Sequence, residues 1–472
     1  MILVSILACN QEPSKTTKDV APHAQTRAAA QMNKPHAIVR VPAMTVGMGE
    51  DGTGEELVPL TLAVNFTDLG DIQEFATPLD PDNVVAWRIN APNDYTSIPV
   101  QFDRDDDYID QDHASGELSL LIPAANQPSE IRVYFTDRQP IGIPQNGPSY
   151  VLNTDESETE YVIDNEYYTI TRYPTYEEAA GFKLKYNDSE LEIPWIRSRD
   201  KVVFAGDDGP VNYSANNQNY DGLTLVSSGP VRTVVRRETS FLADGDVPHP
   251  ANPTGSFEYS YYAGTPVVFY SVEATQDYAQ TWDIYTALFP IPDYNEIFPH
   301  YYHGNLDDEV IEQGNITPFA PVDDDIPDSD TTDYTMWGTL TDGQDFFGEL
   351  GDGSTMIGKG TGEEDVRPYI LGSSQPWKST SQRFETKLWI GPSTEGATEL
   401  RRRAVQLREI EGAYISVPRL ENREKTLSHN ISQMSPSQER GQFAWSLSRA
   451  RKMIRLEQNH ADAYTLIFDL LD

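Results

Sequence analysis

The sequence predicts a mainly β protein: a small N-terminal β-sandwich, then a large β-supersandwich, then a short helical segment at the C-terminus. Three observations predict it. Apolar runs of four to eight residues recur from Pro42 to Ile390, with Gly, Pro and Asp between them, which is the pattern of short strands and turns. The chain holds 33 Pro and 31 Gly, enough to punctuate many turns and to leave few long helices. Tyr (25) outnumbers Phe (17) and Trp (7), and a ring with a polar tip suits strands and half-buried surfaces. At 472 residues the chain has room for two or three domains, each able to bury its own core.

In chain order, residues 1–9 come first. The apolar run Ile2-Leu3-Val4-Ser5-Ile6-Leu7-Ala8 precedes Cys9, the only cysteine, so no internal disulfide forms. Ile6-Leu7-Ala8-Cys9 resembles a bacterial lipobox, which implies export and a lipid on Cys9. Residues 10–41 are polar and read as a disordered tether. No other stretch approaches the ~20 apolar residues of a membrane helix, so the predicted membrane contact is through the lipid alone. The predicted location is extracytoplasmic, on an outer or periplasm-facing membrane.

Residues 42–138 read as the small sandwich. Its runs are Leu57–Val64, Val84–Ile89, Ile98–Phe102, Glu117–Ile122 and Ile131–Phe135. Residues 139–160 are rich in Pro, Gly and Ser and then acidic, and read as a linker. Residues 161–392 carry the larger set, from Tyr161-Val162-Ile163 through Val231–Arg236, Phe257–Tyr262 and Val267–Val272 to Phe384–Ile390. So many runs in one stretch predict a large two-sheet sandwich. No fixed-period repeat is present, which argues against a propeller. Residues 393–472 change character: from residue 401 onward there are 12 Lys/Arg against 9 Asp/Glu. Thr398–Glu411 predicts a helix stopped by Gly412, and Ser435-Pro436-Ser437-Gln438 predicts a second helix start.

The formal net charge of −39 excludes a nucleic-acid partner, which needs a basic footprint. The densest reactive cluster is Phe298-Pro299-His300-Tyr301-Tyr302-His303-Gly304. His300, Tyr302 and His303 are candidates for proton transfer, on a loop at a sheet edge; packing at a loop root is the alternative. The run Asp323-Asp324-Asp325-Ile326-Pro327-Asp328-Ser329-Asp330 is either a solvated turn or a Ca²⁺ loop, with Asp323, Asp325, Asp328 and Asp330 as ligands. No other cofactor is predicted. Asp103–Asp107 opens like an EF-hand loop but has Tyr108 where Gly is needed. Trp377 is either a sugar-stacking platform or a core anchor; Trp282 and Trp337 read as core. No G-x-S-x-G, P-loop, dinucleotide fingerprint or H-E-x-x-H is present.

Val58-Pro59-Leu60-Thr61, Ile98-Pro99-Val100-Gln101, Ser228–Arg236 and Tyr262-Ala263-Gly264-Thr265-Pro266-Val267-Val268 together resemble bacterial polysaccharide lyases of the exo-rhamnogalacturonan-lyase kind. The resemblance covers about residues 55–290 and implies a β-supersandwich packed on an α/α toroid. Only some 70 residues of helical character follow here, and no catalytic residue carries over. The expectation is β-elimination on a uronic-acid polysaccharide, with Arg232, Arg236, Tyr262, Arg367 and Trp377 meeting substrate on a concave, tyrosine-lined face. The alternatives are a non-catalytic glycan-binding surface lipoprotein, the sandwich part of a longer enzyme, or a structural surface protein.

Overall fold

The computed structural model describes residues 34–471 apart from 48–55, 76–77, 92–93, 137–151, 157–160, 173–179, 187–188, 207–208, 215–219, 244–246, 281–282, 292–299, 305–310, 316–336, 351–354, 360–365, 371–378 and 456–458. Cys9 and most of the tether lie outside these residues, as do Asp323, Asp325, Asp328, Asp330 and Trp377. The fold is mainly β, as the sequence predicts.

The N-terminal unit holds β1 (Ala37–Val41), β2 (Leu57–Asn65), β3 (Val85–Ala91), β4 (Asp94–Ile98), β5 (Val100–Arg104), β6 (Ser115–Pro123) and β7 (Ser129–Tyr134). β2, β6 and β5 form a three-stranded sheet. β6 is its centre, and Leu118, Leu120, Leu121 and Ile122 are all fully buried. β1, β7, β3 and β4 pair into the facing sheet. β1 therefore ends the tether earlier than the sequence suggests. One helix, α1 (Phe66–Gln73), interrupts the strands. Asn65 starts it, its side-chain oxygen accepting the N–H groups of Thr67 and Asp68. Eight residues are too few for a helical period to show in sequence.

The large unit runs from β8 (Leu152–Glu156), inside the predicted linker, through β9 (Tyr161–Asn165), β10 (Tyr168–Arg172), β11 (Ala180–Tyr186), β12 (Ser189–Gly206), β13 (Gly209–Ser214), β14 (Tyr220–Ser228), β15 (Arg232–Ser240), β16 (Leu242–Ala243), β17 (Val247–Pro248), β18 (Thr254–Tyr262), β19 (Val267–Thr275) and β20 (Asp283–Ile291). It continues with β21 (His300–Gly304), β22 (Ile311–Asn315), β23 (Trp337–Thr341), β24 (Asp345–Glu349), β25 (Thr355–Lys359), β26 (Val366–Ile370) and β27 (Ser381–Pro392). Nine of these strands pair in the order β14-β15-β18-β19-β27-β24-β23-β21-β22, and an eleven-stranded sheet carries the others. Strand alternation gives the nine-stranded sheet two unlike faces. One face, with Val235, Phe257, Tyr259, Tyr261, Tyr270, Val272 and Leu388, packs on Ile163, Tyr168 and Ile170 of the other sheet. The opposite face, the candidate functional face, carries a groove.

Four helices close the chain: α2 (Ala397–Ile410), α3 (Pro418–Gln433), α4 (Gln438–Arg455) and α5 (His460–Asp469). The first and third match the predicted helices. At the α4 start the N–H of Arg440 donates to Ser437 Oγ rather than to Ser435. Between α2 and α3, β28 (Tyr414–Ser416) adds to the N-terminal sheet beside β1. One continuous core joins the N-terminal sandwich, these helices and part of the nine-stranded sheet, including Trp337, Phe346 and Trp389. Trp337 is fully buried, as its sequence reading expects.

Asp345, at the start of β24, is 2% exposed. Its Oδ1 has no hydrogen-bond partner among the described residues. Burial, helped by the nearby Asp342, pushes its carboxyl up to about 6. The folded state therefore holds a proton that the unfolded state has lost between about pH 4 and pH 6, so this group costs stability as pH rises through that window. Asp345→Asn is expected to stabilise the protein at pH 7 by up to about 3 kcal/mol and to make no difference near pH 4. Urea titrations of both proteins at the two pH values check this; equal stability at pH 7 contradicts it.

Candidate functional site

The site begins where the small sandwich meets the nine-stranded sheet. The turn Ser228-Gly229-Pro230-Val231 leads into β15 and receives Gln101 from β5. Gln101 Oε1 accepts the N–H groups of Val231 (3.0 Å) and Arg232 (2.9 Å). Its Nε2 donates to the Arg232 carbonyl (2.9 Å) and to Asp103 Oδ1 (2.7 Å). A Cβ on Gly229 would lie 2.4 Å from Gln101 Oε1, so a larger residue there would displace the Gln101 side chain from these bonds.

Arg232, 3% exposed, fills the joint. Its Nη2 bonds Glu117 at 2.5 Å, its Nη1 donates to Ser119 Oγ at 3.3 Å, and Asp103 stands 4.0 Å away. Beside it Tyr262 is 1% exposed and shares a hydrogen bond with Thr61 Oγ1 at 2.9 Å. Burial pushes the Tyr262 phenol and the Asp103 carboxyl upward. The phrases that carry the sequence resemblance thus converge on one interface.

From this joint a groove runs along the functional face over β15, β18, β19 and β27. Cross-strand register lines its side chains into rows. Nearest the helices, Val267 and Trp389 are buried. The next row is Val234, Ser260, Phe269 and Lys387, then Arg236, Glu258, Ser271 and Glu385, then Glu238, Ser256, Glu273 and Arg383. Neighbours within a row stand ~4.8 Å apart and rows ~6.6 Å apart. The outer rows bound a cavity of about 520 Å³ whose lining is Arg, Glu, Ser, Thr and Gly only. A second cavity, about 390 Å³, lies at the inner end against β2 and α2. Glu258, Ser271 and Arg383 line both.

The cations of the groove face carboxylates. Arg236 Nη2 lies 2.9 Å from Glu258, Arg383 Nε 2.6 Å from Glu385, and Lys387 Nζ 2.8 Å from Glu411. Such exposed pairs contribute only ~0–1 kcal/mol each to stability. What they supply is donors and acceptors side by side, which a ligand's hydroxyl groups can join.

The sequence-predicted residues fall in several places. Arg236 lines the groove. Arg232 and Tyr262 stand at its inner end, where both are buried in the joint and line the second cavity. Of the expected tyrosine lining, Tyr259 and Tyr261 face the inter-sheet core, because they occupy the alternate positions of their strands, while Tyr262 and Tyr270 border the second cavity. His300, Tyr302 and His303 lie on strand β21, not on a loop. Tyr302 packs near Phe346, ring centroids 6.5 Å apart. β21 is six strands from β15 in the sheet, about 29 Å along it, with the Trp389 and Phe346 core between. His303 pairs with Gly338 of β23. Arg367 lies on β26, in the other sheet. Among the described residues no group of three or more His, Cys, Asp or Glu is gathered to hold a metal ion. Asp103 to Asp107 serve the joint and its loop: Asp103 takes Gln101, and Asp107 takes His113 and Ser115.

Sequence reading missed Glu258, Glu273, Arg383 and Phe269. The signal is the alternation in Phe257-Glu258-Tyr259-Ser260 and Val268-Phe269-Tyr270-Ser271, whose second set reads as an ordinary solvent face until register aligns four strands.

No family model matches this chain, and no curated protein matches it. Among solved structures it is similar to an alpha-mannosidase from Enterococcus faecalis V583, at 9% identity and TM-score 0.48, over 81% of this chain and 46% of that one. It is also similar to a protein of glycosyl hydrolase family 38 from Enterococcus faecalis, at 9% identity and TM-score 0.47, over 81% of this chain and 47% of that one. The chain spans about half the length of each.

Proposed function

We propose that this protein binds a neutral glycan in the groove, outside the cytoplasm, and is held at a membrane by a lipid on Cys9. One observation carries the binding reading: a cavity of about 520 Å³ walled by aligned rows of Arg, Glu, Ser and Thr without one apolar side chain. Pockets for ordinary small ligands are mostly apolar. A ligand that gains from this wall presents many hydroxyls. With a net charge of −39 and its cations facing carboxylates, the groove disfavours a polyanion.

Calorimetric titration with a panel of soluble neutral polysaccharides tests this. Glu258→Gln and Arg383→Ala are each expected to weaken binding about tenfold or more, the scale of one hydrogen bond to a charged group. Their thermal midpoints are expected to stay within a degree or two of the parent. Absence of binding across the panel, or variants that bind like the parent, overturns the reading.

A second reading, for a different and anionic substrate, is β-elimination on a uronate polymer, and the presence of Arg236 in the groove is what favours it. A uronate carboxylate there competes with Glu258 for the guanidinium. The reaction creates an unsaturated uronate, so ultraviolet absorbance rises on incubation with substrate and the rise is lost in Arg236→Ala. Binding without that rise leaves a glycan-binding protein.

A further inference from the structure

We infer that the cavity of about 390 Å³ at the inner end of the groove is a subsite for an alkyl or acyl substituent carried by the bound glycan. The inference rests on the glycan reading and adds the ligand's chemistry at one end. The functional face grades from apolar to charged over four rows. Val267 and Trp389 are sealed under the helical core; in the next row Val234 and Ser260 are buried while Phe269 and Lys387 are half-buried; the Glu258 row is mostly half-buried; and Glu238, Glu273 and Arg383 of the outermost row are exposed. Phe269 stands at the boundary, with Tyr262 and Tyr270 also lining the cavity. Its ring meets Tyr262 edge-on at 5.1 Å and is not fully covered.

Opposite it, the cavity wall comes from Leu407, Ile410 and Ala413, with Pro59 on a third side. At ~30 Å³ per water, the space would hold on the order of a dozen, and those apolar walls would leave the waters against them short of partners. The mouth is charged: Lys387 pairs with Glu411, and Glu117, 41% exposed, pairs with the buried Arg232. A wholly apolar ligand would strip these charges of water without replacing it. A hydroxyl-rich chain bearing one apolar group satisfies both ends. Glu258, Ser271 and Arg383, which line both cavities, connect the substituent's subsite to the chain's.

The experiment uses the neutral polysaccharide that binds, compared with the same polymer partially O-acetylated. Calorimetry is expected to show the acetylated form binding roughly tenfold tighter, the scale of an added small apolar group in a fitted pocket. Phe269→Ser is expected to bring both forms to the affinity of the unmodified polymer, whereas Phe269→Leu keeps the preference; circular dichroism melts confirm that both variants fold. Glu258→Gln weakens both forms alike. Equal binding of the two forms by the parent protein, or a preference that survives in Phe269→Ser, overturns the subsite and leaves the glycan reading standing. No binding of either form overturns both.

Discussion

Arg232→Met is expected to lower the unfolding free energy by about 3 kcal/mol, read as a fall in the urea midpoint at unchanged slope. The guanidinium is 3% exposed and faces three carboxylates: Glu117 at 2.5 Å, Glu258 at 3.9 Å and Asp103 at 4.0 Å. Removing one partner of a buried pair leaves charge uncompensated, at about 3–5 kcal/mol. The lower end applies because Glu117 remains 41% exposed and water screens it. Burial already raises the Asp103 carboxyl and Arg232 opposes that rise. Without Arg232 the folded-state value climbs further, so the deficit grows as pH rises from 4 to 7. A loss under 1 kcal/mol at pH 7 would mean that the four hydrogen bonds of Gln101 hold the joint alone.

Trp389→Ala is expected to cost about 3–5 kcal/mol, the range for emptying a large aromatic from a packed core. Trp389 is 1% exposed, and its Nε1 donates to the Gly391 carbonyl at 3.0 Å. It belongs to the core shared by the N-terminal sandwich, the nine-stranded sheet and the C-terminal helices. The variant is therefore expected to lose all three parts in one transition, with fluorescence and far-ultraviolet dichroism coincident. Two separated transitions in the parent protein would show that the shared core does not couple them.

Sheet content was legible in the sequence because strand signals are local. The runs at Glu117–Ile122, Phe257–Tyr262 and Val267–Val272 each carry their own period. Arg236 is a candidate by residue type alone, as a cation able to meet a carboxylate, and the fold places it on the groove wall. The rest of the groove was not legible, because it is a product of register. Glu258, Ser271 and Glu385 become one row only when β18, β19 and β27 align, and no single strand encodes that. The cluster His300–His303, flanked by Pro299 and Gly304, reads as a loop, but it forms strand β21, six strands from β15 in the sheet. Composition alone does not place the tyrosines: Tyr259 and Tyr261 are amphipathic, and only register reveals which sheet face holds them.

The seam between β1 and β28 sets an order of assembly during synthesis. Arg40 on β1 and Glu421 at the start of α3 are ion-paired across a separation of 381 residues. At ~5–20 residues per second, a ribosome needs on the order of tens of seconds between them. Throughout that interval one border of β1 lacks its native neighbour and can recruit a strand from another nascent copy. Truncations ending before Tyr414 should therefore accumulate as aggregates, and a chain delivered across a membrane before it folds would avoid the wait.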